Sequence, residues 1–322
     1  MSESRSTTVS GMGIAIGGVA ALFLCIYLGA FWLLSPTATE PAEPPPGTGE
    51  ALFGLVFVAA LLVVTAGMLL AFKFGFEWVI RYLILGVSGV ISFLVLFELL
   101  PGLLGDQGRF VGALLIAAVL VGAVYRYPEW WVIDIVGVTV GMGAVLLFGL
   151  TFGLRTVLIL LISLAIYDFI SVYKTKHMIS LAEGALAYRL PVVLFVPTTR
   201  GFTLAEQPNP SPDDGMEGVI VIGLGDAIIP GMLVTAAVVS GPGDILTVSG
   251  FVFTIPAIGA LAGILLGLVA LFVGTARDRA HPGLPFLSSG AIIGYVLASV
   301  AIGIDPLTAL TLEVGKIQTG LP

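Results

Sequence analysis

Charge is scarce in this chain. Of its 322 residues, 10% are Asp, Glu, Lys or Arg and 58% are hydrophobic, where a soluble domain carries roughly 25% charged residues. So much apolar surface cannot be hidden inside a water-facing core, so the lipid bilayer is the main solvent. Cysteine is nearly absent: Cys25 is the single one, which excludes a disulfide framework and a thiol metal cluster. Histidine is almost as rare. His177 and His281 lie far apart in connecting segments, so a His-Glu-x-x-His zinc site is missing and a Ser–His dyad within a span has no histidine to use. The net charge is −7 with the acids gathered in loops, which argues against a nucleic-acid partner. No metal and no cofactor is expected.

Long apolar runs dominate what remains. A spanning helix needs about 20 mostly apolar residues, within a range of about 17–25. Nine runs meet this or nearly so: 13–34, 51–72, 79–100, 109–125, 131–150, 155–173, 218–239, 250–273 and 283–304. The expectation is an all-α polytopic membrane protein, residues 1–322 forming one membrane domain with nine transmembrane helices. The first run is longer than a signal-peptide core and lacks a clear cleavage site, so it reads as a retained helix. Residues 35–50 are Pro-rich and acidic, and read as an extended loop. Residues 174–217 form the long connection. Within it, Leu190 to Val196 is an apolar run between Pro191 and Pro197, too short to span. It reads as a loop segment on the membrane surface or, more sharply, as a strand or gate near an active site.

Lys and Arg set the orientation. One side collects Arg5, Lys73, Arg81, Arg126, Lys174, Lys176, Arg189, Arg200, Arg277 and Arg279; the other has only Arg109, Arg155 and Lys316. The N-terminus and the 174–217 loop are therefore expected in the cytoplasm and the C-terminus outside, in the cell membrane. Trp32, Trp78, Trp130 and Trp131 fall near span ends, as interface anchors do. Glycines four residues apart (Gly13/Gly17, Gly137/Gly141, Gly259/Gly263/Gly267, Gly290/Gly294) mark helix-packing faces.

Two acids stand inside the apolar runs. Asp168 is six residues before Lys174 in the sixth, and Asp226 is eight after Gly218 in the seventh. At 1.5 Å per helical residue these are depths of about 9 and 12 Å from the same face. An ionisable group in hydrocarbon is costly and functional by default. A close carboxylate pair shares one proton, so one member can act as general base on a water while the other hydrogen-bonds to a carbonyl under attack. Gly223 and Gly225 leave one side of Asp226 without bulk, and Pro230 removes a helical hydrogen bond one turn on. Tyr167 offers a hydroxyl beside Asp168, or is simply a packed aromatic. Asp106, Asp134, Asp244 and Glu98 lie at span ends or in loops and read as solvated or interfacial. Alternatives remain: a polar contact that only joins two helices, or a secondary transporter or channel with the aspartates as proton or cation sites.

Tyr167-Asp168 in run six, Gly223-Leu224-Gly225-Asp226 in run seven and Pro282-Gly283-Leu284 at the start of run nine form a combination. It resembles the presenilin and signal peptide peptidase family of intramembrane aspartyl proteases, with its YD, GxGD and PAL motifs on nine helices. A prepilin-type peptidase also uses GxGD, but nine runs and the PAL-like turn argue against it. The resemblance implies a presenilin-like fold and an endopeptidase that cuts transmembrane segments of other membrane proteins. It implies Asp168 and Asp226 as the catalytic pair, with Tyr167, Gly223, Leu224, Gly225, Pro282, Gly283 and Leu284 as site support. The family's central alanine is replaced here by Gly283. The N-in orientation looks like presenilin, and the compact chain like a microbial homologue. Self-association is left open.

Overall fold

The computed structural model describes residues 2–34, 76–170, 190–199, 201–204, 218–275 and 283–311, with scattered positions between 56 and 74. Pro282, His177 and His281, most of the 174–217 loop, and much of the second run lie outside the described residues; the described positions from 56 to 67 are helical. Helices dominate. They are α1 (Ser2–Leu33), α2 (Glu77–Leu99), α3 (Gly105–Arg126), α4 (Trp130–Thr151), α5 (Leu154–Ile170), α6 (Leu224–Val239), α7 (Ile255–Thr275), α8 (Gly283–Ala301) and the short α9 (Pro306–Thr311). Six of them (α1, α2, α3, α4, α7 and α8) are long and apolar enough to cross a membrane, and α6 is a shorter apolar helix.

Local chemistry sets several boundaries. α2 stops at Leu100-Pro101 and α3 stops before Pro128, where the residue before a proline is pushed out of the helical region. Thr254 caps α7: its hydroxyl oxygen accepts from the Ala257 N–H at 3.3 Å and the hydroxyl donates to the Ala237 carbonyl at the end of α6, 3.2 Å away. Asp305 caps α9 through the N–H groups of Leu307 and Thr308.

Among the described residues, four short strands amend the all-α expectation. β1 (Val193–Pro197) pairs antiparallel with β2 (Val219–Gly223), and β3 (Leu246–Val248) with β4 (Phe251–Phe253). Both residues of the β3–β4 turn, Ser249 (φ 51°) and Gly250 (φ 86°), have positive φ, as a two-residue hairpin turn of matching twist requires. Gly250 also lets the ring of Trp32 lie against the turn. β1 occupies the Leu190–Val196 run, so the strand reading holds over the surface loop. β2 takes the first residues of the seventh run. Val-Ile-Val-Ile is β-branched throughout, and β1 supplies a hydrogen-bonding partner, so this stretch is extended and α6 starts only at Leu224. Asp226 therefore stands in the first turn of a helix, not eight residues into one.

The main core gathers residues of α1, α4, α5, α6, α7 and α8. Within its most apolar stretch α4 is 56% buried and α3 only 17%, so α4 is central and α3 peripheral. The glycine faces divide. A β-carbon on Gly259, Gly263 or Gly267 would run into the backbone of α8, and one on Gly290 or Gly294 into that of α7. These two helices thus touch main chain to main chain, as small residues permit in lipid. Gly141 receives Ile26 and Gly137 receives Leu194. Gly13 and Gly17 meet no partner among the described residues. A smaller second core of Ile133, Val193, Phe195, Leu204 and Val219 lies between α4 and the β1–β2 pair.

Candidate functional site

Three helices meet around the two aspartates. Asp168 lies two residues before the last described residue of α5, Asp226 in the first turn of α6, and Gly283-Leu284 opens α8. Asp168 is buried, with 4% of its surface exposed. Its Oδ2 accepts a hydrogen bond from the Leu284 N–H at 3.2 Å. The first N–H groups of a helix have no partner inside it, so the start of α8 has this donor to spare. Its Oδ1 is buried with no hydrogen-bond partner among the described residues. Asp226 approaches the same dipeptide from the other helix: a β-carbon on Gly283 would sit 3.1 Å from its Oδ2 and 3.6 Å from its Oδ1. Both carboxylates thus lie against the Gly283-Leu284 dipeptide.

The GxGD segment is a strand-to-helix junction. Gly223 ends β2, and Leu224 begins α6 while its N–H still bonds the Val192 carbonyl across the sheet at 2.8 Å. Leu224 is buried, and Gly225, next to Asp226, has open space beside it among the described residues. Pro230 stands inside α6, where it denies the Asp226 carbonyl its usual donor. One residue on, the Ala227 carbonyl accepts a hydrogen bond from the buried Tyr27 hydroxyl of α1 at 2.8 Å. Gly231 makes room for that ring: a β-carbon there would come within 2.5 Å of Tyr27 Cε1.

Tyr27 was not legible as a site neighbour. It belongs to the first apolar run, 200 residues from its partner. Tyr167, expected beside the acids, lies on the exposed side of α5 with 36% of its surface accessible. Pro282, the first residue of the PAL-like turn, lies outside the described residues. Asp134 corrects the sequence reading. It is buried, 6% exposed, and its Oδ1 accepts from the Phe195 N–H at 2.8 Å. The span boundary placed it at an interface, but β1 packs over it and removes it from solvent. Asp106 and Asp244 are exposed as expected, and the exposed Glu98 reaches Arg109 at 3.5 Å. Among the described residues no group of three His, Cys, Asp or Glu side chains comes together to hold a metal ion.

The fold has parallels among solved structures. Two solved structures, each of a presenilin family intramembrane aspartate protease and in different crystal forms, superpose on the chain. One has TM-score 0.63 and 28% identity, covering 89% of this chain and 99% of the other. The second has TM-score 0.61 and 29% identity, covering 88% and 97%. No curated protein matches. The family model described as "Signal-peptide peptidase, presenilin aspartyl protease" matches residues 20–304. That match takes in both aspartates, the strand-to-helix junction and the first turn of α8. The chain therefore belongs to the signal-peptide peptidase and presenilin family of aspartyl proteases, and it is an integral, multi-pass membrane protein that hydrolyses peptide bonds of transmembrane substrates.

Proposed function

We propose that Asp168 and Asp226 are the catalytic pair of this protease. One observation carries the reading: the Gly283-Leu284 dipeptide touches both carboxylates, donating to Asp168 and lying bare against Asp226. The main chain of α8 thus fixes the two acids relative to one another. Gly225, open on one side, leaves an approach to Asp226. Oδ1 of Asp168 has no protein partner among the described residues and is free to meet water or the substrate carbonyl.

The chemistry follows from a shared proton. The ionised member takes a proton from water as the water oxygen bonds to the peptide carbon. The protonated member hydrogen-bonds to the carbonyl oxygen and stabilises the developing charge. The tetrahedral intermediate then collapses, the C–N bond breaks, and the amine leaves with a proton returned by the pair. A helical substrate hides its carbonyls in its own hydrogen bonds, so it must unwind near the pair before it is cut.

The remaining assignments belong to the same reading. Gly223 and Leu224 set the strand-to-helix junction, Pro282, Gly283 and Leu284 support the pair, and Tyr167 borders the site. Residues 1–322 form one domain of nine membrane helices in a presenilin-like arrangement, with residues 174–217 as the long cytoplasmic loop. The N-terminus lies in the cytoplasm and the C-terminus outside, across the cell membrane. Ten of the 13 Lys and Arg residues on one side support this orientation. A transporter or channel using the aspartates as cation sites is not favoured, since the family and both structural relatives are aspartyl proteases. The test is cleavage of a single-span peptide in liposomes. Asp168→Asn and Asp226→Asn each abolish it while the protein keeps its wild-type melting behaviour; full activity in either ends the assignment.

A further inference from the structure

The β1–β2 register shows where each N–H of β1 points. Val192 and Leu224 form a hydrogen-bonded pair, as do Thr198 and Gly218. Alternation between them gives Leu194 and Val196 to the bonds with β2 and turns Val193, Phe195 and Pro197 outward. Pro197 has no N–H to offer. The Phe195 N–H would be a buried orphan donor, and Asp134 of α4 takes it.

More of α4 holds the same segment. Gly137, about one turn further along, makes room for Leu194, whose Cδ2 would meet a β-carbon there at 2.9 Å. In the other direction Trp130 Nε1 donates to the Phe202 carbonyl at 3.2 Å, and Glu129 Oε2 accepts from the Leu204 N–H at 3.0 Å. Ile133, Phe195, Leu204 and Val219 fill the space between. These contacts fall on the start of α4 and, apart from Val219 of β2, on residues between 194 and 204. Asp134 is the only carboxylate among them that is itself buried.

We infer that Asp134 is a positioning residue for the proteolytic reaction. Its carboxylate seats β1 on α4. β1 fixes β2 by the ladder, and β2 runs without a break through Gly223 into the turn that carries Asp226. An acid that an interface would solvate is kept in the bundle because a neutral apolar side chain there leaves the Phe195 donor unsatisfied. The role is to accept a hydrogen bond, with no part in proton transfer. This rests on the reading of Asp226 as catalytic.

Two variants and one exchange measurement test it. Asp134→Asn keeps an oxygen acceptor in place; Asp134→Leu removes it. Asp134→Leu is expected to lower kcat about tenfold or more with KM within about threefold, and Asp134→Asn to retain kcat within about threefold. The pH profile of Asp134→Asn stays that of the wild type. An inactive but folded Asp134→Asn, or a shifted profile, would assign Asp134 to proton handling and overturn the proposal, as would a fully active Asp134→Leu. Amide exchange in the wild-type protein decides the matter even if Asp134→Leu does not fold. The Phe195 amide should exchange as slowly as those of Leu194 and Val196, which bond β2; fast exchange at Phe195 alone also overturns it. That measurement does not depend on catalysis, so its failure is distinct from a failure of the Asp168–Asp226 assignment.

Discussion

α8 lies in two unlike environments. Along most of its length it faces α7 through a seam of glycines, backbone on backbone, with Gly259, Gly263 and Gly267 opposite Gly290 and Gly294. In its first turn it faces two carboxylates through one N–H and one bare α-carbon. The seam is close-packed and apolar. The site is tied to α8 by one hydrogen bond at Asp168 and, among the described residues, keeps a carboxylate oxygen without a protein partner. The contrast teaches a division of labour. A seam that tolerates no added atom holds the helix still, so a few polar contacts at its end can be directional without themselves providing stability.

The sharpest way to break this division is at the acids. Asp168→Asn or Asp226→Asn should lower kcat by about 10²–10⁴-fold or more, the range of general acid–base contributions, with no loss of thermal stability. Cleavage assays paired with melting curves in the same detergent would check both halves. Stability falling with activity would mean that the acids also hold the helices together.

The seam should answer in the opposite way. Gly263→Leu places a side chain against the Gly290 carbonyl, which is backbone and cannot rotate aside. The expected cost is about 1–3 kcal/mol or more, seen as a lowered melting midpoint, with activity per folded molecule little changed below it. A wild-type midpoint would show that the two helices are free to part.

Gly283 tests the boundary between the two environments. An alanine methyl at 3.1 Å from Asp226 Oδ2 obliges the carboxylate to shift slightly. Gly283→Ala should cost a few-fold in kcat and Gly283→Val about 10²-fold, both with KM and melting midpoint nearly unchanged. Equal activity in all three would mean that Asp226 is not held against this turn.

The smallest effect is expected at Tyr27. Tyr27→Phe keeps the ring over Gly231 and removes the hydrogen bond to the Ala227 carbonyl, worth about 1 kcal/mol. A drop of a few-fold in kcat, larger than any change in KM, would place Tyr27 with the site; a pure stability loss would place it with the core.

Much of this was readable in the chain. The long apolar runs, the two acids and the motif triplet pointed to a membrane protease, because hydropathy and rare polar residues survive in one dimension. The seam was half readable: four-residue glycine spacing marks a packing face, but not its partner, and Gly13/Gly17 meet none among the described residues. The seventh run hid a change of structure. Val-Ile-Val-Ile is as apolar as a helix, and only pairing with β1 makes it a strand. Asp134 and Tyr27 could not be placed, since their partners lie 61 and 200 residues away.

One consequence of the first turn of α8 concerns how its role would be discovered. What Leu284 gives Asp168 is a main-chain N–H, which every residue but proline carries. Alanine scanning across this turn would change side-chain bulk at Gly283 and at the buried Leu284 but leave that bond intact. Leu284→Pro, which removes the donor where a helix's first turn tolerates the ring, would expose it. The most direct tie between this helix and the buried acid is thus recorded in the backbone, where side-chain genetics is blind.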